Sequence, residues 1–110
     1  MAVYVDDAGI FDQVTDKASN RKYTSTWSHL SADTSEELLE FATKELKLKP
    51  EWIQHKGTAL EHFDVTESKR KLALAKGATP ITWKQMGWQV YCKTLGMRFD
   101  PHGMKHGRAK

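Results

Sequence analysis

The chain has 110 residues, of which 39% are apolar and 28% charged, and it carries a net charge of +3. That length supports one hydrophobic core and not two, and the balance of apolar and charged residues excludes a disordered or membrane-embedded chain. No apolar run reaches the roughly 20 residues that span a bilayer, the start lacks the regions of a signal peptide, and the lone Cys92 gives no internal disulfide; a cytoplasmic protein is expected.

The charge is uneven. Residues 96–110 hold Arg98, Lys105, Arg108 and Lys110 against the single acid Asp100, which accounts for the whole surplus of three. The expected organisation is a single α/β domain over residues 1–99 followed by a basic flexible tail over 100–110. Smaller basic clusters stand at Lys17/Arg21/Lys22 and Lys69-Arg70-Lys71. The tail reads equally as a solubilising segment or as an arm that seeks phosphates.

Residues 3–6 form a short β-branched and aromatic run, expected as a buried strand. From Asp7 to Thr26 the pattern dissolves into turn-forming residues, which predicts a long loop, anchored at its start by Ile10, Phe11 and Val14. A strand over about 26–30 leads into a helix at about 34–48, opened by Thr34 with Glu37 in capping-box spacing and ended by Pro50. Trp52 and Ile53 look buried, and Gln54 to Thr58 looks like a turn. His62 to Val65 predicts a third strand, followed by a helix that Thr66 opens and Gly77 closes. Thr79 to Thr82 is a fourth, very short strand. The last helix starts at Thr82 with Gln85, stops at Gly96, and has Trp83, Met86, Val90, Tyr91 and Leu95 as its expected core stripe. Strands alternating with helices predict a short, mostly parallel sheet flanked by about three helices.

In parallel α/β sheets, ligands sit beyond the carboxyl ends of the strands. Asp6, Asp7, His29, Asp33, His62 and Asp64 all fall at or just past expected strand ends. Carboxylates clustered with imidazole suit a divalent ion, although no spacing here amounts to a metal motif and no glycine-rich phosphate loop is present. Plainer readings stand beside this one. Asp33 and Asp64 occupy positions where helix-capping acids are common, and His29 reads equally as a half-buried structural histidine. Asp6 and Asp7 are harder to explain that way, because two adjacent acids after a buried strand repel each other and no helix follows for them to cap. His102 and His106, in the glycine-rich end, and Cys92, beside Tyr91, read as tail and packing residues. Trp27 reads first as core and second as a ring that stacks on a base.

The motifs Val3-Tyr4-Val5-Asp6-Asp7, Trp27-Ser28-His29-Leu30 with Asp33-Thr34, and His62-Phe63-Asp64-Val65, continued by Lys69-Arg70, Ala73 and Gly77-Ala78, resemble those of the domain of unknown function 4031 family, small bacterial and phage proteins. The resemblance covers most of residues 2–82. It implies that Asp6, Asp7, His29, Asp33, His62, Asp64 and Arg70 belong to the family's signature. It also implies a phage-type accessory role, with action against host defence as the associated expectation, and it brings no mechanism.

The function expected from these residues is that of a small metal-dependent nuclease acting on RNA or DNA. Asp6, Asp7 and Asp64 would hold Mg²⁺ or Mn²⁺, and His29, His62 and Asp33 would carry the proton chemistry. Arg70, Lys69, Arg21 and Lys22 would contact phosphates. The alternative is a non-catalytic binding protein that grips a host protein or a nucleic acid, its His/Asp set serving only as a hydrogen-bonded network.

Overall fold

The computed structural model describes the backbone of residues 2–16 and 21–101 and the side chains of 2–10 and 26–101. The basic tail, with Lys105, Arg108, Lys110, His102 and His106, therefore lies outside the described residues. The elements run β1 (Val3–Val5), β2 (Ile10–Asp16), β3 (Arg21–Ala32), α1 (Ser35–Glu40), β4 (Phe63–Thr66), α2 (Glu67–Ala75), β5 (Thr79–Pro80) and α3 (Trp83–Leu95). A π-type turn over Phe41–Glu45 continues α1, and a short 3-10 turn covers Pro50–Trp52. No helix among the described residues is long and apolar enough to cross a membrane.

The sheet is mixed rather than mostly parallel. β3 pairs antiparallel with β1, β2 and β4, and only β1 and β5 pair in parallel. Leu30 faces Val5 on one side and Phe63 on the other, so β1 and β4 flank β3 on opposite edges. Trp27 likewise faces Ile10 and Thr66, which puts β2 on the same edge as β1. The expected long loop after β1 is thus largely strand: β2 and the first half of β3 pair from Ile10↔Trp27 out to Asp16↔Arg21. Polar, β-branched stretches such as Gln13-Val14-Thr15 and Tyr23-Thr24-Ser25-Thr26 carry little hydrophobic alternation. Their strand character comes from the pairing itself.

Helices cover both faces of the sheet. On one side Val5, Leu30, Ala32, Phe63 and Val65 pack against Leu38, Ala42 and Leu46 of the first helical segment and Ala73 of α2. On the other, Tyr4 and Ile81 pack against Met86 and Cys92 of α3, with Phe99 set edge-on to Tyr4. The stripe expected to be core on α3 is rotated. Met86, Gln89 and Cys92 are the buried positions, while Trp83, Tyr91 and Leu95 face outward. A fully buried glutamine is tolerated because its amide is paired: Gln89 accepts from the Ser31 hydroxyl at 2.5 Å and donates to the Ala32 carbonyl at 3.3 Å. Trp52, expected inside, is also exposed.

The helix ends follow local chemistry. Thr66 and Thr82 accept from the N–H groups of Lys69 and Gln85, and Gln85 completes its capping box by accepting from the Thr82 N–H. At the start of α1 the Thr34 hydroxyl accepts from the Glu37 N–H and donates to the Glu37 carboxylate. Gly96 ends α3 with a φ of 69°, a left-handed turn that glycine adopts without strain.

Candidate metal centre

The site begins with a break in the β1–β3 ladder. Val5 pairs with Leu30, but the next pairing is Ile10 with Trp27. Four residues, Asp6 to Gly9, therefore lie opposite only two, Ser28 and His29. At the break Asp6 donates its N–H to the His29 carbonyl at 3.0 Å, as a strand residue would. The return bond is different. The His29 N–H goes to the Asp6 carboxylate at 2.8 Å, not to its main-chain carbonyl. That freed carbonyl accepts from Arg70 Nε at 2.8 Å. The same carboxylate oxygen takes the Ala8 N–H at 3.1 Å, while Gly9, at a φ of 59°, turns the chain back toward β2 and donates to the Ser28 hydroxyl.

The second Asp6 oxygen lies 2.7 Å from His29 Nδ1. Burial works against charge on Asp6, yet the bonds from the His29 ring and from the His29 and Ala8 main chain outweigh it, holding the carboxyl below its ordinary range. An ionised carboxylate only accepts, so Nδ1 of His29 carries the proton and Nε2 is left open. The bond to Asp6 is also the main reason the His29 imidazolium is favoured; burial opposes it, and the charges of Asp6 and Asp64 add support.

His29 pairs across the sheet with Asp64 on β4. Two residues before Asp64, His62 sits where Gln54 bridges back through bonds of 2.8 and 3.1 Å. His62 Nδ1 lies 2.6 Å from the Leu60 carbonyl, which can only accept, so this ring also carries its proton on Nδ1. Its Nε2 then faces Asp64 Oδ1 at 3.3 Å. The hydrogen bond from His62 lowers the Asp64 pKa first, against burial, and the charges of His62, His29 and His55 lower it further.

One ligand atom from each of His29, His62 and Asp64 lies within 4.8 Å of the others. Donors about 2.1 Å from a shared tetrahedral ion stand ~3.4 Å apart, so the three side chains would close by roughly an ångström around one. Both histidines already hold the outer contacts that metal-bound imidazoles show, one Nδ1–H on a carboxylate and the other on a backbone carbonyl. The three side chains are 30%, 19% and 43% exposed, so the convergence is open to solvent and leaves room for further ligands. Two imidazoles and one carboxylate suit a borderline ion such as Mn²⁺, Fe²⁺ or Zn²⁺ better than the hard, oxygen-seeking Mg²⁺.

Of the residues singled out in the sequence, the fold brings together Asp6, His29, His62, Asp64 and Arg70. It gives Asp7 a different partner: Asp7 Oδ1 accepts the Trp83 N–H at 2.8 Å, at the start of α3. The helix that Asp7 caps is 76 residues away, which local reading could not find. Asp33 stands apart from the cluster, just past the end of β3 and four residues beyond His29, and accepts from the Tyr4 hydroxyl at 3.0 Å. Lys69 is committed to the Leu46 carbonyl at 2.7 Å. Arg21 and Lys22 lie on β3, and their side chains fall outside those described.

Two residues escaped the sequence reading. Glu61 is buried, held by the Ser35 hydroxyl at 2.6 Å and the Gly57 N–H at 3.1 Å, and it braces the turn that carries His62. His55 has a φ of 53°, and its ring lies 5.8 Å from that of His62. Its neighbour Lys56-Gly57 marked a turn, but nothing local placed that turn over the site.

No curated protein and no solved structure matches this chain. A family model described as "Protein of unknown function (DUF4031)" matches residues 3–91, a span that includes every member of the cluster from Asp6 to Arg70, and the chain belongs to that family.

Proposed function

We propose that the protein is a metal-dependent phosphodiesterase that cuts nucleic acid, with His29, His62 and Asp64 as the ligands of a divalent ion. One observation carries the reading. Two imidazoles, each held through Nδ1 by an outer partner, converge with a carboxylate at a solvent-open point. A divalent ion held there supplies a nucleophile at neutral pH and neutralises developing phosphoryl charge. Asp6 holds the His29 ring through Nδ1, and its charge would offset that of an ion bound by the ring. Arg70, fixed through Nε to the Asp6 carbonyl, has Nη groups that can steady a phosphate; Nη1 is 3.9 Å from Glu67, a loose contact that a stronger anion can replace.

The test is cleavage of labelled single-stranded and duplex RNA and DNA with Mn²⁺, Zn²⁺, Mg²⁺ or EDTA, with His29→Ala and Asp64→Asn beside the wild type. Cutting that requires metal and disappears in both variants is the expected result. No cutting of any polymer by a folded, metal-loaded protein would sink the reading. That outcome would favour a binding protein without catalysis, a second reading that the exposed aromatic face of α3 supports.

A further inference from the structure

α3 turns the wrong face inward for an ordinary amphipathic helix. Gln89 is buried, and the outward strip holds Trp83, Trp88 and Tyr91, 59%, 37% and 51% exposed. Indole rings are seldom left in water without a use, because each offers a large apolar area. The Trp88 and Tyr91 rings lie 5.3 Å apart and tilted by 30°, a nearly parallel pair. Charge narrows the choice of partner. The thirteen residues of α3 contain Lys84 and Lys93 and not one acid. Lys84 stands on the same outward side, one residue from Trp83, and is exposed. Lys93 turns back to the Ala32 carbonyl, so the outward side offers π-faces with the cation of Lys84. The carboxylate at its start, Asp7, is already bonded to the Trp83 N–H. Such a surface complements a polyanion that has flat rings to stack.

The strip is also tied to the chain segment that supports the proposed metal centre. The N–H of Trp83 is held by Asp7, whose neighbour Asp6 holds His29. On the other flank, Trp52 is exposed with Lys49 Nζ 5.6 Å from its ring centre, and two residues later Gln54 bridges to His62. An exposed indole with a lysine close by, in space at Trp52 and in sequence at Trp83, thus stands on both chain segments that connect to the site.

We infer that the outward strip of α3, Trp83, Lys84, Trp88 and Tyr91, is a stacking platform that delivers single-stranded nucleic acid to the His29/His62/Asp64 centre. The inference rests on the phosphodiesterase reading for what the strand is delivered to, but not for the binding itself. Bases stack on such rings without regard to sequence, and they do so only when unpaired, so the platform selects single strands over duplexes.

The test separates binding from cleavage. Anisotropy of fluorescein-labelled 15-mers of dT and rU is measured in EDTA, beside a duplex of the same length, for wild type, Trp83→Ala, Trp88→Ala and His29→Ala. The substituted tryptophans are exposed, and circular dichroism confirms that each variant is folded. Single strands are expected to bind more tightly than duplex, with each tryptophan variant weakened roughly 5- to 150-fold and His29→Ala unchanged. If wild type cleaves but the tryptophan variants bind and cleave as it does, the platform is overturned and the metal reading stands. Tryptophan-dependent binding without cleavage by wild type supports the platform and removes the phosphodiesterase. Equal binding of duplex overturns the inference, as does a dimer that Trp88→Ala dissociates without any effect on oligonucleotide binding.

Discussion

The two ends of the short ladder between β1 and β3 each pair an aspartate with a ring-borne donor, and they end up chemically opposite. At one end the Tyr4 hydroxyl donates to Asp33, beside a shallow cavity of about 300 Å³ that Arg98 and Phe99 also line. Burial, and then that bond, push the Tyr4 pKa well above its ordinary value, so the phenol keeps its proton. At the other end Asp6, besides accepting two main-chain N–H groups, engages the His29 ring at Nδ1 alone. The ring itself stands beside a second imidazole and a second carboxylate. A phenol has one polar atom, and its hydrogen bond closes the group. An imidazole has two, and tying one aims the other. The contrast explains why Asp33, equal to Asp6 in the sequence pattern, falls outside the proposed centre.

The largest effect should come from removing the aimed nitrogen. Mn²⁺ or Zn²⁺ at 100 times its dissociation constant should stabilise wild type by about 2.7 kcal/mol, read as a rise in melting temperature, and His29→Ala should lose that response. An unchanged metal shift in His29→Ala would show that the ion binds elsewhere. A smaller loss is expected from Asp6→Asn, which keeps an oxygen for the His29 and Ala8 N–H groups but removes the charge behind the ring. Isothermal titration should then show metal affinity reduced about 10- to 100-fold in a protein that still folds. If affinity stays at the wild-type level, Asp6 serves only the ladder break.

The pH dependence sharpens the same comparison. The His29 pKa is raised by the fold, so its contribution is complete below the unfolded value of about 6.5 and is lost as pH rises through the folded value. The Asp6 pKa is lowered, so its contribution is present above about 3.9 and is lost as pH falls through the folded value. The metal-free protein should therefore lose stability as pH rises past neutrality, whereas metal-induced stabilisation should grow over the same range, because the ligands must shed protons. Melting curves from pH 5 to 9 with and without Mn²⁺ test the crossing, and parallel curves would refute it. The smallest effect belongs to the closed end. Asp33→Asn should cost at most about 1 kcal/mol in denaturant melts and leave the metal shift intact. A lost metal response in that variant would mean that the two ends are one site.

Much of the site was legible as residue types and little of it as geometry. Asp6, His29, His62 and Asp64 stood out as acids and imidazoles beside apolar strands, and they do converge. They converge for a different reason from the one the strand pattern suggested. β3 runs against both its neighbours, so His29 meets Asp6 and Asp64 from the middle of a strand and not from its end. The expected carboxylate trio of Asp6, Asp7 and Asp64 divides accordingly: Asp6 lies behind His29, Asp7 caps α3, and Asp64 joins the two imidazoles.

What the sequence determined by itself is what neighbouring residues decide among themselves. Threonine hydroxyls reach N–H groups three residues on at Thr34, Thr66 and Thr82, and Gly96 ends a helix because only glycine takes that backbone turn freely. Those energies are local, and the sequence shows them, except that Glu37 takes the Thr34 hydroxyl and not the backbone N–H that a capping box there requires. Strand direction, the pairing of β2 with β3 and the inward turn of Gln89 depend on partners far along the chain, such as Ser31, which is 58 residues from Gln89. No local propensity encodes such a partner. Only the tertiary structure decided which polar residue was closed off by a hydrogen bond and which was left aimed at open space.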